Sequence, residues 1–84
     1  LVLQRTRHRS AAGREEGARE ALAQALVMLA SGDTSGAVRA SLRALARSRE
    51  GADVHGQRAS LRTLARCYRT LGRDGDAESL EASF

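Results

Sequence analysis

Apolar residues recur along this chain at spacings of three and four, the period of helices rather than of strands. A first helix is predicted from about Arg14 to Ser31. Gly32 then supplies a left-handed stop, and Asp33 or Thr34 caps the next helix. That second helix carries Val38, Leu42 and Leu45 on one stripe. Arg39, Arg43 and Arg47 lie on another, open to solvent. The segment Gly51 to Gly56 reads as a loop. A third helix runs from about Val54 to Leu71, with Leu61, Leu64, Ala65, Tyr68 and Leu71 on its apolar face. Gly72 ends it. Asp74 or Asp76 starts a fourth helix with Ala77, Leu80 and Phe84 on one side.

The pattern repeats with an offset of 40 residues. Ala25 matches Ala65, Met28 matches Tyr68, Gly32 matches Gly72 and Ala37 matches Ala77. Each copy reads as helix, tight turn, helix. The chain divides into a first hairpin over 14–50, a second over 51–84, and a basic segment over 1–13. That segment reads either as the tail of an upstream helix or as a frayed arm. Because the sequence opens at Leu1, we expect it to be a piece of a longer protein or a processed product.

These residues resemble the tetratricopeptide repeat family. The stretch Leu64-Ala65, Tyr68, Leu71-Gly72 and Ala77 is similar to that family's small residue, aromatic, turn glycine and second small residue. The first copy keeps Ala25, Gly32 and Ala37 but has Gln24 and Met28 where the second has Leu64 and Tyr68. The period exceeds the roughly 34 residues usual for such repeats. It is similar to a longer-helix variant in which an Asp-x-x-Gly signature, here Asp53-Val54-His55-Gly56, opens a hairpin. Gly13 to Gly17 is a degenerate version of it.

The resemblance implies an all-α fold of antiparallel helical hairpins stacked as a short solenoid of about four helices. It also implies a non-enzymatic module that binds a partner protein along its concave face, as part of a regulatory or adaptor protein. Counted back from Ala65, the groove-facing positions are Arg62, Arg66 and Arg69. Their counterparts on the first helix are Leu22, Leu26 and Leu29. One wall is then apolar and the other cationic, which suits a helix or peptide with leucine-like anchors and carboxylates. Two other fates of the leucines stay open: packing on an upstream segment, and self-association. The family's clamp for C-terminal carboxylates is not carried over, because Leu22 and Leu26 stand at its matching places.

Composition supports the helical reading. The 84 residues include 16 Ala, 11 Leu and 14 Arg, with no Pro, Ile or Trp. These are strong helix formers, and strand-forming residues are scarce. The longest apolar run, Ala25 to Ala30, is far short of the roughly 20 residues of a membrane span. The single cysteine, Cys67, excludes an internal disulfide and fits a reducing, cytoplasmic setting. We read it as a small buried residue.

The net charge of +4 comes entirely from arginine. Arg5, Arg7 and Arg9, with His8 among them, form a basic run able to contact phosphates. Nucleic-acid binding is therefore the alternative function, weakened by the lack of stacking aromatics. No lysine is available for a phosphate-binding loop. His8 and His55 lie far apart, without ligand spacing to a partner. Cys67 has no base and acid beside it. Asp74 and Asp76 suit a helix start better than a catalytic pair. We expect no enzymatic activity, no cofactor and no metal.

Overall fold

The computed structural model describes residues 17–84, and these are helical apart from short turns and the last three residues, with no strand among them. Four helices follow in order: α1 over 17–30, α2 over Thr34–Glu50, α3 over Val54–Thr70 and α4 over Asp74–Glu81. None of the described helices is long and apolar enough to cross a membrane. The basic segment, with Arg5, Arg7 and Arg9, lies outside the described residues, as do Gly13 to Glu16.

The three connections share one construction. After α1, the Asp33 N–H donates to Met28 O (2.8 Å) and the Gly32 N–H to Leu29 O (3.3 Å). After α2, Asp53 N–H bonds Ser48 O and Ala52 N–H bonds Arg49 O. After α3, Arg73 N–H bonds Tyr68 O and Gly72 N–H bonds Arg69 O. This is the Schellman pairing, which satisfies carbonyls that the helix end leaves free. The residue that closes each motif is also the N-cap of the next helix. Asp33 accepts from the Gly36 N–H (2.9 Å), and Asp53 from the Gly56 N–H (3.0 Å). Short turns of this kind force neighbouring helices to run antiparallel.

The structural unit is thus one helix and one turn, recurring every 20 residues at Asp33, Asp53 and Arg73. Two departures mark it. Arg73 caps α4 without a side-chain hydrogen bond. Its guanidinium lies 5.4 Å from the Tyr68 ring centroid and bonds Asp76 instead. Ala52 has φ 53°, where the other two turns place Gly32 (90°) and Gly72 (77°). A side chain at such an angle costs about 1–2 kcal/mol. Ala52→Gly is therefore expected to stabilise the fold by about 0.5 kcal/mol, once the added freedom of the unfolded chain is subtracted. Chemical denaturation would show this as a higher midpoint at unchanged slope.

The core is made of small residues. Ala25, Ala37, Ala40, Ala44, Ala65, Cys67 and Ala77 are fully buried, with Ser41, Ser48 and Ser60 beside them. This corrects the apolar stripe expected for α2. Val38 is half-buried and Leu42 is 46% exposed, leaving only Leu45 of that stripe inside. Where two helices approach closely, only alanine or serine fits between their backbones, and larger side chains move to the flanks. The same shift affects α3. Leu64 and Ala65 are buried, Leu61 and Tyr68 are half-buried, and Leu71 is exposed. On the fourth stripe Ala77 is buried and Leu80 half-buried, while Phe84 falls beyond the helix. α2 packs on α3, and α3 on α4. The C-terminal end of α2 meets α1 where the Arg47 guanidinium donates to Gly17 O (3.0 Å).

Candidate functional site

The expected groove residues form two matching series. Leu22, Leu26 and Leu29 occupy in α1 the places that Arg62, Arg66 and Arg69 occupy in α3, forty residues on. Both series have the spacing i, i+4, i+7, so each lines one side of its helix. Leu22 and Leu29 are half-buried, and Leu26 is 42% exposed. Leu26 is therefore the apolar member most available to a partner. On another side of α1, Val27 is 69% exposed, next to half-buried Met28. Together with Glu20, Ala23 and Gln24 they border a shallow hollow that the helical spacing of leucines did not point to.

The arginines are not equivalent. Arg62 and Arg66 are exposed and, among the described residues, make no ion pair. Arg69 reaches across to Glu81 of α4 and forms an ion pair with it. The Glu81 carboxyl is held below the usual glutamate range, first by the hydrogen bond from Arg69 and then by its charge. The Arg69 guanidinium is correspondingly pushed up by Glu81. A contact made between two helices leaves no trace in local periodicity, so no pattern along the chain announces it.

This pair ties α4 to α3, and its contribution follows the ionisation of Glu81. A carboxyl depressed in the folded state contributes fully above the unfolded glutamate value, which is about 4.3. The contribution fades as pH falls through the lower, folded value. Amide protection in α4 is therefore expected to drop on acidification. Glu81→Gln is expected to show reduced protection already at neutral pH and a flatter response to acid, as read by hydrogen exchange.

Cys67 is fully buried in α3, as the sequence suggested. Burial pushes its thiol above the ordinary value, against smaller opposing effects of the Ser41 hydroxyl and the Arg66 charge. Such a thiol is mostly protonated at neutral pH and is a poor nucleophile.

A second feature lies at the junction of three helices. Ala18, Arg19 and Leu22 of α1, Ser48 of α2, and Asp53, Gly56 and Ser60 at the start of α3 enclose a cleft of about 30 Å³. Leu22 thus belongs both to the leucine series and to this cleft. Of the others, Asp53 and Gly56 belong to the segment that reads as a loop, and Ala18, Arg19, Ser48 and Ser60 to three different helices, so nothing local shows that they converge.

No protein-family model matches this chain, and no curated protein or solved structure matches it either. The class that the fold defines is an all-α chain of helices joined by uniform three-residue turns.

Proposed function

We propose that this chain is a non-enzymatic protein-interaction module, a short solenoid of the tetratricopeptide type within a larger regulatory or adaptor protein. Its ligand is a partner helix or peptide carrying leucine-like anchors and carboxylates. The observation that carries the reading is that exposed Leu26 of α1 stands at the place that exposed Arg66 takes in α3, one turn from exposed Arg62. Burial of a leucine side chain contributes about 1.5–3 kcal/mol, whereas an exposed ion pair contributes about 0–1. Affinity therefore comes mainly from Leu26 with the flanks of Leu22 and Leu29. Arg62 and Arg66 set orientation and association rate. Arg69 is the weaker cation, because an incoming carboxylate competes with Glu81.

Selection from a displayed library of helical peptides tests this. The bound set is expected to be rich in Leu, Asp and Glu. Leu26→Asp is expected to weaken such peptides at least about tenfold, the equivalent of 1.4 kcal/mol. Arg62→Glu with Arg66→Glu is expected to slow association and reduce its salt dependence. Unchanged peptide affinity in a Leu26→Asp chain with an unaltered circular dichroism spectrum would contradict the proposal.

A further inference from the structure

Ser48 stands apart from the other buried helical hydroxyls. Those of Ser41, Ser60 and Thr63 each donate to the carbonyl four residues earlier, at 2.7–3.0 Å. Ser48 is only 1% exposed, and among the described residues its Oγ makes no hydrogen bond. An unsatisfied buried hydroxyl is costly, so native structures rarely keep one. Its position also breaks the repeat. Twenty residues before it stands Met28, and twenty after it Tyr68, both half-buried at the side. Ser48 lies instead beneath α1 and α3 at the same time.

Around Ser48 the cleft supplies what a small polar guest needs. Asp53 spends Oδ1 on the Gly56 N–H, which leaves Oδ2 free to accept. Ser60 gives its proton to Gly56 O and keeps lone pairs on Oγ. Gly56 keeps the space open, since a β-carbon there would fall on both Asp53 Oδ2 and Ser48 Oγ. At the equivalent Gly36 the atoms nearest to a β-carbon would all belong to the Asp33 carboxylate. The cleft, about 30 Å³, exceeds the roughly 10–15 Å³ that one water requires. Arg19 in the lining disfavours a cation.

We infer that one water molecule is bound at this junction, accepting from Ser48 Oγ and donating to Asp53 Oδ2 and Ser60 Oγ. Three hydrogen bonds are the usual complement of a buried water. The water pins α2 to the start of α3 beneath Ala18 and Leu22. The site therefore sets how α1 lies over the second turn, and with it the seat of Leu22.

Oxygen-17 magnetic relaxation dispersion on the full chain counts long-lived waters directly. Ser48→Ala is expected to remove one and to lower Tm by about 4 °C or more, by analogy with the loss of a hydrogen-bonded partner in a domain of this size. An unchanged count would overturn the inference. So would a raised Tm, because deleting a dry, unpaired hydroxyl stabilises a fold. A crystal structure of the unaltered chain gives a check that needs no variant. Ordered solvent within about 3.2 Å of Ser48 Oγ and Asp53 Oδ2 supports the site. A dry cleft, with the hydroxyl turned to Ala44 O, contradicts it.

Discussion

Replacing Ala65 with leucine is expected to destabilise the fold by about 3 kcal/mol, the upper part of the range for overpacked cores. Ala65 has no solvent-accessible surface and sits in α3, which packs on both α2 and α4. The added isobutyl group can enter only by separating helices whose contact depends on small residues. Greater burial of apolar surface gives little back, because the separation uncovers Ala37, Ala40 and Ala44 of α2 or Ala77 of α4. For a domain of this size the loss corresponds to a fall in Tm of more than about 10 °C. Ala46→Leu on the exposed side of α2 is the control, expected to stay within about 0.5 kcal/mol of the parent. Equal effects of the two leucines would mean that Ala65 is not at a close helix approach.

Gly56→Ala should cost about 2 kcal/mol, although glycine to alanine inside a helix ordinarily gains up to about 1 kcal/mol. The new β-carbon collides with the Asp53 carboxylate and the Ser48 hydroxyl. Moving the carboxylate aside breaks the cap on the Gly56 N–H, a loss of about 0.5–2 kcal/mol. Ser48 is short and buried, so it cannot yield cheaply, and this overpacking adds about 1–3 kcal/mol. At Gly36 the nearest atoms are those of the Asp33 carboxylate, the far end of a flexible side chain, so Gly36→Ala is expected to cost less. Thermal melts of the two variants side by side would show the difference. A Gly56→Ala chain as stable as the parent would place α3 further from α2 than described.

The helix, turn and turn-glycine pattern was readable because its signals are local. Gly32 and Gly72 announce left-handed stops, and the structure places positive φ at both. The third stop was hidden, since Ala52 carries no such signal and Gly51 and Gly56 beside it suggested a longer loop. For the same reason the period read as 40. The matching signature Asp33-Thr34-Ser35-Gly36, twenty residues before Asp53, was present in the sequence and reveals the shorter unit. The core was less legible. Spacing identifies a helix face, but it does not say how closely two helices approach, and that distance decides whether Leu42 or Ala44 goes inside. The Arg69–Glu81 pair and the cleft at Ser48 depend on contacts between helices, which no local pattern encodes.

The proposed site rests on this repeat, because the spacing gives Leu22, Leu26 and Leu29 of α1 the places that Arg62, Arg66 and Arg69 take in α3. Backbone chemical shifts of the full chain by nuclear magnetic resonance test that repeat most directly. Helical shifts are expected for α2 and α3, interrupted over 51–53, with left-handed values at Gly32, Ala52 and Gly72. A flexible stretch from Gly51 to Gly56, with Ala52 outside the left-handed region and helix beginning only after Gly56, would contradict it.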